Sequence, residues 1–223
     1  MEQQFYNKQY TRTQVKNNIL KVWDATNETD RFDWYKAAND FAHGLANIAP
    51  SNDGYHLDVA RACGVIAALS PMVHWNRNKK LARELIEDSK LLNVWIIVDH
   101  MACLKANARK AAAILLSDGS DDAILDILKG KKTSAFFLNI LYPNKAISLT
   151  MDRHAISIAL GRKITKGEEK YLQLTAGQYK FLVECYRWTA AKLKVNPLIL
   201  QSATWVLWRK EGRNTELPYY LDF

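Results

Sequence analysis

The sequence predicts an all-α protein, and three observations predict it. Apolar residues recur at helical spacing in nearly every segment, and the breaks between segments are short and built of Pro, Gly, Asn, Asp and Ser. No stretch alternates apolar and polar side chains for long enough to make a convincing strand. With 223 residues, 48% of them hydrophobic, and only 9 Gly and 5 Pro, the chain can bury a core along its whole length. One compact unit over residues 1–223 is the expected organisation.

The first helix is expected at about residues 11–24, where Val15, Ile19, Leu20 and Trp23 share one face. A second follows at about 33–48, with Trp34, Ala37, Ala38, Phe41, Leu45 and Ile48 aligned, and the turn residues of 49–54 stop it. His43 lies one position off that face, where a surface or capping role is the ordinary one. Residues 56–69 are almost wholly apolar, as in a helix buried on most sides, and end at Ser70-Pro71. A cluster of His74, Trp75, Asn76, Arg77 and Asn78 precedes a helix expected from about Lys79. Such a loop suits insertion into nucleic acid by stacking or by bonding base edges. The same residues equally suit a helix start whose Trp75 staples the chain to the core.

The pattern is helical again from Asn93 to Ser117, through an alanine-rich stretch whose basic face carries Lys105, Arg109 and Lys110, usually a matter of solvation. After the Ser117-Asp118-Gly119-Ser120 turn, a short helix over 121–128 reaches a tight turn at Gly130, and Lys132 opens the next helix. Two helices so joined form a hairpin candidate. A break at 142–146 leads to Asp152, at the start of a helix to Leu160, followed by a basic connection over 161–167. The last two helices are expected over 175–193 and from Asn196-Pro197 to about Arg209, with Trp205 and Trp208 as packing residues.

Lys and Arg outnumber Asp and Glu by 31 to 23, a formal charge of +8, and the pI is near 9.3. A polyanionic partner is the expectation. Cys63, Cys103 and Cys185 are odd in number and far apart, which argues for buried reduced thiols in a cytoplasmic protein and against a disulfide framework or a four-thiolate metal site. The polar N-terminus has no apolar core and no apolar run approaches the ~20 residues that span a bilayer, so neither secretion nor membrane insertion is expected. No metal or cofactor is expected, and a monomer is.

Two residues stand out. Lys132 stands at a helix start whose unpaired amides and positive end favour a phosphate. Asp152 is the sole carboxylate between Asp126 and Glu168. An N-cap, or a pair with Arg153, is the ordinary use of such an acid.

Taken in order, four stretches resemble the helix-hairpin-helix DNA glycosylases of the endonuclease III group. GVIAALSPMVHWNRNKKLARELI is similar to that family's buried helix, Leu-Ser break and following helix, and LKANARKAAAILL to its Lys-Ala-rich helix. ILKGKKTSAFFLNIL echoes its hairpin, and Met151-Asp152-Arg153-His154 its Val-Asp-x-His motif. The resemblance covers about residues 64–160, with 1–63 and 161–223 completing the lobes. The whole chain, with its MDRH and QSATW stretches, also resembles small phage proteins, which would place it in the host cytoplasm.

The resemblance implies a two-lobed helical fold and a DNA glycosylase or lyase, a DNA repair activity, that flips a base out of a duplex. Lys132, or its neighbour Lys131, would attack the sugar C1′, and Asp152 would stabilise the positive charge that develops there. A helix start with other cations nearby is a setting in which an amine serves as nucleophile. Lys129, Gly130, Lys131, His74, Trp75, Asn76, Arg77, Arg153 and His154 would contact DNA, with the 74–78 loop wedging the gap, and the basic residues Arg162, Lys163 and Lys166 would add phosphate contacts.

The chain departs from the family at Leu128-Lys129-Gly130-Lys131, which lacks the hairpin's Pro and one Gly, and it has no counterpart of the four-cysteine iron-sulfur loop. Two alternatives stay open. One is a phage enzyme that modifies a thymine substituent on the same scaffold; the other is a hairpin DNA-binding protein without chemistry.

Overall fold

A computed structural model describes residues 2–5, 8–48, 57–89, 92–165 and 167–213, with side chains to residue 210. Among the described residues the fold is all-α but for one short hairpin at the N-terminus. Strands β1 (Glu2–Phe5) and β2 (Lys8–Thr11) pair antiparallel, with Glu2 opposite Thr11 and Phe5 opposite Lys8. This corrects the expectation of no strand. Each strand has four residues, too few for alternation to register, and only Phe5 and Tyr10 are apolar and buried. Phe5 meets Tyr10 edge-on at 5.8 Å and leans on Phe181 at 6.1 Å, so tertiary packing rather than strand propensity holds the hairpin.

The helices follow in order: α1 (Arg12–Asp24), α2 (Trp34–Ile48), α3 (Val59–Leu69), α4 (Trp75–Asp88), α5 (Val94–His100), α6 (Lys105–Leu115), α7 (Asp121–Leu128), α8 (Lys131–Leu141), α9 (Arg153–Leu160), α10 (Ala176–Leu193) and α11 (Pro197–Arg213). A 3-10 turn at Glu169–Leu172 precedes α10. Caps set many of the starts. Thr11 and Thr175 each form a capping box with the Gln three residues on, while Asp58, Ser120 and Asp152 accept from the third amide of their helices. The helical pattern over 93–117 is interrupted, because Met101 and Leu104 take extended backbone.

The chain divides into two compact units. Of the described residues, one takes those up to Tyr35 and Asn144 to Arg213, and the other takes those from Lys36 to Pro143. In the first, α1, α9, α10 and α11 pack on one another around Val15, Ile19, Ile156, Leu182, Tyr186 and Leu200, all at most 1% exposed. In the second, α3 is the centre. Every residue from Ala62 to Leu69 is buried, and α4, α6, α7 and α8 pack around it. Gly64 permits this close approach, since a Cβ there would lie 2.9 Å from Cγ2 of both Ile114 and Ile124.

Candidate functional site

In the first unit the chain from Leu149 to Asp152 enters α9 without regular structure, all four residues buried, and the Asp152 amide closes a tight turn on the Thr150 carbonyl at 3.1 Å. Buried backbone outside a helix must still find hydrogen-bond partners. Gln201 of α11 supplies them: its Nε2 donates to the Thr150 carbonyl at 2.8 Å, and its Oε1 accepts from the Thr150 amide at 3.3 Å. The Tyr35 hydroxyl donates to the same Oε1 at 3.3 Å, and the Tyr179 hydroxyl to the Leu149 carbonyl at 2.6 Å. The side-chain amide thus imitates one rung of a sheet and fixes the backbone that carries the acid.

Asp152 is 8% exposed and caps α9. Its Oδ1 accepts from the Ala155 amide at 2.8 Å, and its Oδ2 accepts from the Trp205 indole Nε1–H at 3.1 Å. Both donors are neutral. The Trp205 ring is held edge-on to Trp34 at 5.9 Å and to His154 at 6.0 Å, with the Arg209 guanidinium 4.7 Å from its centroid. Below them Tyr186 is fully buried and donates to the Ala155 carbonyl at 3.0 Å. Burial, and then the charge of Asp152, push its phenol well above the usual range, so it stays a donor. MDRH and QSATW, far apart in sequence, are therefore one cluster. Sequence reasoning noted both stretches and assigned Trp205 to packing, but the indole bond to Asp152 carries no spacing signal.

His154 is 4% exposed. It corrects the expected DNA contact, because the helix turn that exposes Arg153 partly carries the next side chain into the core. Arg153 itself is half-buried.

The second unit holds the hairpin. α7 ends at Lys129, which takes the left-handed conformation at φ 58°, and Gly130 is extended at φ −86°. The left-handed residue is thus a lysine, not the glycine. The Lys129 amide donates to Leu125 O at 3.0 Å and the Gly130 amide to Leu128 O at 2.7 Å. Lys110 Nζ reaches the Leu128 carbonyl at 2.8 Å, so a residue of the expected solvated face closes the hairpin instead. Lys131 and Lys132 form the first turn of α8, which has no side-chain cap; Lys131 is exposed and Lys132 half-buried.

Of the two readings of 74–78, the helix start holds and the loop does not. His74 is the N-cap of α4, and Trp75 to Asn78 are its first turn. Asn78 is 1% exposed and donates through Nδ2 to the Ile66 carbonyl at 3.0 Å, while Trp75 packs edge-on against Phe41 at 6.2 Å. Asn76 is exposed and Arg77 half-buried. The loop is the turn before them, closed by the Val73 amide on Ser70 O at 3.3 Å. Met72, which sequence reasoning missed, sits there at φ 63° and is 75% exposed. Pro71 followed by a positive φ is the type II pattern, whose third position normally takes Gly or Asn. Ser70-Pro71 was the signal.

The basic connection is only partly available. Arg162 binds both oxygens of Glu168, at 3.0 and 3.1 Å, and stacks 4.5 Å from the Tyr171 ring. The Thr165 amide and hydroxyl, with Arg162, hold the Glu168 carboxyl down at about 2. Lys163 is half-buried, and Lys166 lies outside the described residues. Cys63 and Cys185 are buried free thiols, whereas Cys103 is partly exposed at the bend between α5 and α6. Among the described residues no three His, Cys, Asp or Glu side chains are grouped to hold a metal. No helix among them is long and apolar enough to cross a membrane.

A family model matches residues 1–212. The chain belongs to a family of unknown function, DUF7178. Neither the curated proteins nor the solved structures give a match. The DUF7178 match spans both units, and Asp152, Gln201, Trp205, the Lys129–Gly130 turn and Met72 all fall inside it.

Proposed function

We propose that this DUF7178 member is a DNA glycosylase-like enzyme acting on a flipped-out, modified or damaged base. The observation that carries the reading is the buried Asp152 carboxylate, fixed by the Ala155 amide and the Trp205 indole on backbone clamped by Gln201. A carboxylate held rigidly in a water-poor place stabilises a developing oxocarbenium ion far better than one in bulk water, because it needs no reorganisation as the charge forms. The resemblance of MDRH to the family's Val-Asp-x-His motif supports the same role.

Lys132, in the first turn of α8, is the amine for a lyase step. Its nitrogen bonds to C1′ as the glycosidic bond breaks with its electrons on the base, which takes up the proton the amine loses. The C1′–O4′ bond then opens, O4′ taking a proton from solvent, to leave the Schiff base that borohydride reduces. Met72 replaces the 74–78 residues as the wedge, since an apolar side chain held out on a tight turn suits the gap left in a base stack.

A second reading is a DNA-binding protein without chemistry, favoured by both Asp152 oxygens being occupied inside their own unit. One set of experiments separates the two. On the first reading, Asp152→Asn lowers turnover at least about a hundredfold with DNA affinity kept, and borohydride traps a covalent adduct on abasic DNA that Lys132→Ala loses. An adduct that survives in Lys132→Ala and vanishes in Lys131→Ala moves the nucleophile by one residue. Near-wild-type turnover by folded Asp152→Asn would sink the catalytic role. Mass spectrometry of nucleosides distinguishes a lost base from an altered one, the result expected of a thymine-modifying enzyme.

A further inference from the structure

We infer that the face shared by α1 and α10 in the first unit binds single-stranded nucleic acid, with Trp188 as the stacking platform. Trp188 is 64% exposed at the rim of a cleft of about 270 Å³ lined with Arg12, Lys16, Glu184 and Cys185. Lys16 Nζ lies 3.8 Å from its ring centroid. Lys180, Glu184, Trp188 and Lys192 follow one another at four-residue steps along α10, so a single stripe carries cation, acid, ring and cation. Arg12 pairs with Glu184, which offsets the acid in the stripe. Adding Lys21 and Arg187 against Asp24, the two helices carry six cations and two acids.

Charge and shape together select the occupant. A protein-docking centre would surround the ring with other apolar side chains, and a membrane-surface helix would show an apolar stripe on its outer face. Trp188 is the one exposed large hydrophobic residue on α1 or α10 among the described residues. An isolated ring with ammonium groups one helical turn away, and across from it, matches a base and its neighbouring phosphates. Cys185 adds no chemistry, since burial raises its thiol to about 11.

The site goes beyond the reading above and does not depend on Asp152. Its test is the binding of a fluorescein-labelled oligothymidylate by the full chain. Trp188→Ala should weaken binding about tenfold or more, while Trp188→Phe keeps most of it. Lys16→Gln should lower the slope of log affinity against log salt by about 0.7. Unlabelled oligothymidylate should quench a tryptophan signal that Trp188→Phe lacks. Equal affinity of wild type and Trp188→Ala, or quenching that persists in Trp188→Phe, overturns the proposal. Trp188→Ala should keep its turnover on a duplex substrate, and Asp152→Asn its Trp188-dependent binding, so the two readings fail separately.

Discussion

At the scale of a residue, Asp152 does one thing that a simple cap does not. A cap needs one oxygen, and the second here accepts the Trp205 indole hydrogen at 3.1 Å. Asn is normally as good a cap as Asp, but at this position its amide offers only one oxygen. Whichever way it turns, its NH2 group faces either the Ala155 amide or the Trp205 indole, donor against donor. We therefore expect Asp152→Asn to cost about 1–3 kcal/mol, the scale of a buried donor left unsatisfied. Trp205→Phe removes one of the two donors, so the double variant should be more stable than the sum of the singles by about 1 kcal/mol. Urea midpoints of the four proteins measure this coupling. Strict additivity would show that indole and carboxylate do not interact. The folded double variant also tests turnover with the charge removed and the misfit relieved.

At the scale of an element, the hairpin shows what the sequence made legible. Both of its helices and their short connection were readable, because apolar periodicity is local. The turn was misread by one residue, since Gly130 draws the eye and Lys129 takes the positive φ. The start of α4 was misread by four, since polar residues at 74–78 look like a loop until Asn78 is seen bonding the Ile66 carbonyl from the core. The β1–β2 hairpin left no signal beyond Phe5 and Tyr10. A non-glycine residue in the left-handed region is strained by about 1 kcal/mol or more. Lys129→Gly should accordingly raise stability by about 0.5–1 kcal/mol in thermal or urea unfolding, against the usual cost of Gly. If Lys129 meets phosphate, the same variant should bind duplex DNA more weakly. A gain in stability joined to a loss of affinity would mark Lys129 as strained for use; a loss of both would mean that the turn geometry differs from the one described.

At the scale of the whole molecule, the excess charge was legible and its distribution was not. Periodicity says nothing of which residues end in which unit, and no spacing told that Gln201 would clamp Thr150 or that the chain would divide at Tyr35 and again at Pro143. Ion pairing is likewise long-range. Arg12 pairs with Glu184, Lys210 with Asp30 and Arg162 with Glu168, which takes these cations partly out of any contact with DNA. Lys129 and Lys131 are exposed, with no ion-pair partner among the described residues. They stand beside the start of α8, which has no side-chain cap and whose positive end favours a phosphate. Each lysine that neutralises a duplex phosphate releases close to one condensed counterion, so affinity should fall steeply with salt and depend weakly on sequence. Neutralising Lys129 and Lys131 together should flatten the slope of log affinity against log salt by about two units, while neutralising Arg162 should change it little. Binding of a short duplex across a salt series measures both. A slope unchanged by the double substitution would take the hairpin out of the DNA interface, and a slope that falls with Arg162 instead would show that the Glu168 pair opens to bind phosphate.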